Sequence, residues 1–166
     1  MTALLESGAG TRMMFVVTAG YSGKPLAQKL GLRAGQRIAW LGAPAGFAEL
    51  LGPLPHGIDL VAPGERELDL VVLFATSAAR LVAELAPAAA RLTPAGMLWV
   101  AWPKKSSRAA TDLTEDRVRS VGLGAGLVDV KVCAIDDTWS GLKLVRRLRD
   151  RPQPARRRQA SPRHQS

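Results

Sequence analysis

Ala95-Gly-Met-Leu-Trp-Val-Ala-Trp-Pro-Lys-Lys105 is a short apolar run that stops abruptly at Trp102, Pro103 and two adjacent lysines. It reads as a buried strand from Met97 to Trp102 that delivers paired cations to its C-terminal end. In open α/β sheets, ligands bind outside the carboxyl ends of the strands. The stretch therefore marks a central strand and also a place for a site.

Working outward, Leu70-Val-Val-Leu-Phe74 is continuously apolar, as expected of a parallel strand covered on both faces. Between the two strands, Ser77 is a predicted N-cap, and Leu81, Leu85, Ala88 and Leu92 follow one helical face. Pro87 is expected to kink or split that helix, and Thr93-Pro-Ala-Gly96 reads as a turn. Upstream, Pro25 suits the first turn of a short helix that ends at Gly31. Arg37-Ile-Ala-Trp-Leu41 is a strand, followed by Gly42-Ala-Pro-Ala-Gly-Phe47 and a short helix through Leu51. Ile58 to Val61 reads as a second short strand. Downstream, Asp112-Leu-Thr-Glu115 fits a capping box that opens a helix carrying Val118 and Val121. Leu127 to Ile135 is a strand, Asp136 to Gly141 a turn, and Leu142 to Leu148 a returning edge strand.

Helices and strands alternate in the α/β manner. The expected architecture is one three-layer, Rossmann-like domain over residues 19–149, with a mostly parallel sheet and an antiparallel closing edge strand. The length of 166 residues suits a single domain that buries its own core. Residues 1–18 read as a flexible extension, within which Met13 or Met14 is a conceivable start, and residues 150–166 as a disordered basic tail. The net charge of +9 is concentrated there: Arg151, Arg156, Arg157, Arg158 and Arg163 lie in residues 151–166 with no acid, leaving +4 for residues 1–150. No apolar run is long enough to span a bilayer. Glu6 precedes the short Met13–Val17 run, and Cys133 is the single cysteine, so a cytoplasmic protein without an intrachain disulfide is expected.

Two resemblances bear on this reading. Leu92-Thr-Pro-Ala-Gly-Met-Leu-Trp-Val100, after a strand with Asp69 at its start, resembles the later half of class I S-adenosylmethionine-dependent methyltransferases. That resemblance covers about residues 36–147 and implies a reduced methyltransferase-like fold. It further implies a nucleotide or S-adenosyl ligand. The glycine loop reads Gly42-Ala-Pro-Ala-Gly46 where the family has Gly-x-Gly-x-Gly, and Glu65 is the nearest candidate for the family's ribose-holding acid. The chain also resembles a bacterial family of unknown function (domain of unknown function 3052). That likeness rests on Gly20-Tyr-Ser-Gly-Lys-Pro-Leu26, Leu98-Trp-Val-Ala-Trp-Pro-Lys-Lys-Ser106, Thr111-Asp-Leu-Thr-Glu-Asp116 and Val130-Lys-Val-Cys-Ala-Ile-Asp-Asp-Thr-Trp-Ser-Gly-Leu142. It implies no activity.

Parallel strands would gather several polar segments at one rim: Gly42, Ala43, Pro44, Gly46 and Phe47; Thr76 and Ser77; Trp102 with Lys104, Lys105 and the chain on to Ser107; and, as a further candidate, Asp136 to Ser140. The lysines offer point charges to phosphate or carboxylate. Ser77 marks a helix N-terminus, where backbone N–H groups favour an anion, and the glycines allow close approach of a ligand. Together they describe a pocket for an anionic or nucleotide-like small molecule. The plainer reading makes the lysines solvated and Ser77 only a cap. Asp136-Asp137 is a carboxylate pair or a polar turn. Trp139 is a contact surface or a lid over the core. His56 and His164 have no sequence partner for a metal or a nucleophile, so no catalytic or metal-binding residue is assigned. The alternative function is a non-catalytic interaction module that binds nucleic acid or an acidic protein through the arginine tail. The tail has no interleaved aromatics for base stacking.

Overall fold

The computed structural model describes residues 24–147. The N-terminal extension, Ser22-Gly23, Leu148 and the arginine tail lie outside the described residues.

The elements are α1 (Leu26–Leu30), β1 (Arg37–Leu41), α2 (Phe47–Leu51), β2 (Asp59–Leu60), β3 (Leu68–Phe74), α3 (Ala78–Ala90), β4 (Leu92–Pro103), α4 (Glu115–Gly124), β5 (Leu127–Ala134) and β6 (Trp139–Arg146), with one 3-10 turn at Lys105–Ser107. The strands form one six-stranded sheet in the order β2-β1-β3-β4-β6-β5. Neighbours from β2 to β4 pair in parallel, while β6 runs antiparallel to both β4 and β5. The closing hairpin forms, but its antiparallel member is not the edge. It lies one place inside, and β5 takes the edge. Burial explains the order: Gly141, Leu142 and Leu144 of β6 are buried, whereas Asp129 to Val132 of β5 are exposed. The more apolar strand takes the covered position.

Alternation along the strands divides the core into two layers. Ile38, Leu70, Val72, Phe74, Trp99 and Ala101 pack with α1 and α2, while Ala39, Val71, Leu73, Leu98 and Val100 pack with α3 and α4. Trp99 is fully buried, and its indole N–H donates to the Leu30 carbonyl at 2.8 Å, tying α1 to the sheet.

Three local expectations change. Helix α3 runs unbroken through Pro87. The proline is exposed and sits in the last turn, where a missing N–H costs a single bond that solvent can replace. The expected turn at Thr93–Gly96 is part of β4: Leu68 pairs with Leu92 and Leu70 with Met97, so the extra residues form a bulge. Gly96 is required there, since a Cβ would sit 2.8 Å from the Leu68 carbonyl oxygen. Helix α4 is capped by Thr114, whose side chain accepts from the Arg117 N–H, and not by Asp112.

Candidate functional site

The parallel register brings the ends of β1, β3 and β4 to one rim: Leu41 pairs with Leu73, and Phe74 with Ala101. Connections leave β1 and β3 in opposite directions across the sheet, so the switch point lies between Leu41 and Phe74. The crevice there is narrow. Gly42 has φ +74°, and a Cβ on it would lie 2.9 Å from the Phe74 carbonyl oxygen and 3.5 Å from the Arg80 guanidinium.

The open space lies beside the crevice, on the α2 side. A hollow of about 110 Å³ is lined by Pro44, Gly46, Phe47, Leu50, Phe74 and Trp139, with Ala45, Ile135 and Asp136 completing it. Its wall is an aromatic chain. Trp40 meets Phe47, Phe47 meets Phe74, and Phe74 meets Trp139, each edge-to-face with centroids 5.0, 4.9 and 5.0 Å apart. Such contacts add to area burial and hold the rings in fixed orientations. Asp136 fixes the last member: its Oδ1 accepts from the backbone N–H groups of Thr138 and Trp139, both at 2.8 Å. The Asp136 carboxylate is thus the organiser of an Asx turn.

The sequence-derived site residues separate into three groups. Pro44, Gly46 and Phe47 line the hollow, and Ala43 packs into the core beneath it. Lys104 does not line it: its backbone N–H donates to the carbonyl of Thr138, the residue before Trp139, at 2.7 Å, while Lys105 is exposed in the following 3-10 turn. Thr76 and Ser77 belong with α3 and the loop before α4. Thr111 donates its hydroxyl proton to the Thr76 carbonyl, Ser77 Oγ accepts from the Arg80 N–H, and Asp112 Oδ1 accepts from the Ala78 N–H at 2.8 Å. The anion seat at this helix N-terminus is therefore held by the protein's own carboxylate. Trp102 is buried in the opposite layer with α3 and α4.

Glu65 lies at the far end of the sheet. With Asp59 it pairs with Arg37 at the start of β1, whose backbone N–H also donates to Asp69. It does not reach the rim. Trp139 comes from the Asp136–Ser140 turn, a further candidate segment for the rim; Ile135 and Leu50 complete the hollow from outside every segment assigned to it from sequence. Only their apolar character at turn or helix-end positions was visible there. Burial raises the Cys133 thiol pKa, against the pull of Lys29 and Lys131. Among the described residues, no group of three or more His, Cys, Asp or Glu side chains could hold a metal ion, and no helix is long and apolar enough to cross a membrane.

A second, shallow hollow of about 330 Å³ lies at the opposite end of the sheet, lined by Ala86, Ala89, Ala90, Gly126, Leu127 and Arg146, with Ala125. The Arg146 guanidinium already donates to the carbonyls of Ala89, Leu92 and Thr93.

No family model matches the chain, and no curated protein matches it. Solved structures do. A possible exported protein from Bordetella parapertussis aligns with a TM-score of 0.52 at 15% identity, over 72% of this chain and 64% of that one. This chain thus spans under two-thirds of that protein's length. An S-adenosylmethionine-dependent methyltransferase from Aquifex aeolicus aligns with a TM-score of 0.51 at 14% identity, over 75% of this chain and 89% of that one. The fibrillarin pre-rRNA processing protein of Methanococcus jannaschii aligns at 0.50 and 12% identity, over 76% and 70%. The fold is the Rossmann-like α/β fold found in S-adenosylmethionine-dependent methyltransferases.

Proposed function

We propose that this protein binds a small ring-bearing ligand, a nucleotide or an S-adenosyl compound, at the C-terminal rim of its sheet. In this reading the planar ring enters the hollow beside the switch point, and the charged remainder lies over the open rim toward Lys104. The observation that carries the reading is the aromatic wall of Phe47, Phe74 and Trp139 around an open hollow. Its volume of about 110 Å³ decides how much of a ligand it can enclose. Pockets that engulf a whole drug-sized molecule begin at roughly 300 Å³. This one accepts one ring and leaves the rest exposed, which suits recognition better than a water-excluding reaction chamber. The nearest carboxylate, Asp136, is committed to its turn through Oδ1, and Oδ2 can take a proton donor on the ring edge. The proposed role is ligand binding without assigned catalysis.

A thermal-shift panel of adenosyl compounds and nucleotides tests it, because a ligand that binds only the folded state raises the melting temperature. Ala45 lines the hollow and is exposed, so Ala45→Trp fills the space without disturbing the core. The expected result is a rise with at least one compound, abolished in Ala45→Trp, whose unliganded melting temperature stays near that of the parent. A rise that survives Ala45→Trp would place binding elsewhere. No rise with any compound would reject the reading.

A further inference from the structure

Lys143 of β6 sits in register between Trp99 of β4 and Lys131 of β5. Directly opposed residues on neighbouring strands project from the same face and lie about 5 Å apart. The two lysines therefore stand side by side on the face that carries Trp99 and α1. Two further cations come from α1 and the loop after it. Lys29 donates its ammonium proton to the Ala134 carbonyl at the end of β5, at 3.1 Å. Arg33 acts on Lys143: burial first, then the charges of Lys131 and Arg33, lower the Lys143 pKa from the ordinary lysine range.

Like charges opposed across a ladder are destabilising, and this protein has acids with which to avoid them. Arg37 is tied to Asp59 and Glu65, and Arg119 to Glu115, Asp116 and Asp129. Arg33, Lys131 and Lys143 take part in none of the ion pairs formed among the described residues. A bulge maintains the segregation. Asp129 pairs with Leu144 and Lys131 with Lys143, so one extra residue, Val130, is inserted. Without it, Asp129 and Lys131 would share a face. With it, Asp129 turns to Arg119 on α4, at 3.0 Å, and Lys131 turns to the other face beside Lys143.

We propose that this β5–β6 face is a binding surface for the phosphodiester backbone of a nucleic acid. The form of the surface selects a polymer over a small anion. Arg33 and Lys131 are exposed and Lys143 is half-buried beside them, so the cations are spread along a sheet face rather than gathered in either hollow, as an extended polyanion requires. The chain leaves β6 through Arg147 into a segment with five arginines and no acid between residues 151 and 166. Contacts of this kind carry no base readout, so binding is indifferent to sequence and falls steeply with salt.

The test uses the full-length chain and a labelled 20-nucleotide DNA, followed by fluorescence anisotropy at several salt concentrations. Lys131→Glu is the decisive variant. It is expected to weaken binding about tenfold and to make the log–log salt slope shallower by about 1 or more. Its melting temperature should be unchanged or higher, because the new carboxylate stands opposite Lys143. Lys131→Arg should bind like the parent. Loss of binding with preserved or increased stability separates a lost contact from a damaged fold. Unchanged affinity in Lys131→Glu, with binding abolished by replacing Arg156, Arg157 and Arg158 with alanine, would assign all affinity to the tail and overturn the proposal. Absence of salt-dependent DNA binding by the parent, or tighter binding of poly-glutamate than of DNA at equal charge, would also overturn it.

Discussion

Gly42 shows how a single residue limits what the switch point can hold. Its φ of +74° lies in the left-handed region, and a side chain there would run into the Phe74 carbonyl oxygen at 2.9 Å. The close approach joins the ends of β1 and β3 and closes the crevice itself, which leaves room for a ligand only on the α2 side. Gly42→Ala combines backbone strain with a contact against backbone that cannot move aside. It should destabilise the protein by about 2 kcal/mol, measured as a shift of the urea midpoint with an unchanged slope. A variant as stable as the parent would show that the two strand ends are less closely joined. The sequence identified Gly42 as a place of close approach, but assigned the approach to a ligand rather than to the neighbouring strand. The partner, Phe74, is 32 residues away in the sequence, and only the pairing of β1 with β3 brings it near.

At the scale of the elements, apolar runs disclosed the strands, and their pairing decided the site. Ile38–Leu41, Leu70–Phe74 and Met97–Trp102 are legible because a strand covered on both faces is continuously apolar. The inward place of β6 was not legible, since its hairpin with β5 leaves open which member pairs with β4. The same limit applies to the patch on the β5–β6 face: the bulge at Val130 reverses the alternation that Asp129 and Lys131 would otherwise share. Sequence alone places Thr76 and Ser77 in a shared pocket with the glycine loop; in the fold the loop before α4 claims them. That arrangement gives a specific expectation for α3. Asp112→Ala removes the acceptor of the Ala78 N–H and should cost about 1 kcal/mol, as loss of a helix cap does. Sulfate should raise the melting temperature of this variant more than that of the parent, because it can occupy the vacated seat. An equal response of the two proteins would contradict the seat.

For the molecule as a whole, the two faces of the sheet have different roles. The α3–α4 face is an apolar layer that includes Trp102. The other face carries the aromatic hollow at one rim and the cationic surface toward the β5 edge. The four tryptophans sample this division. Trp139 lines the hollow, and Trp40 ends the aromatic chain; Trp99 is buried and bonded to Leu30, and Trp102 lies in the opposite layer. Their indole N–H resonances in a nitrogen–proton correlation spectrum give one reporter for each region. Titration with the compound giving the largest thermal shift is therefore the most direct measurement. A ligand seated in the hollow moves the Trp139 resonance in a saturable way and leaves those of Trp99 and Trp102 in place. Movement of the Trp102 resonance with a stationary Trp139, or no movement at all under saturating ligand, would contradict that placement.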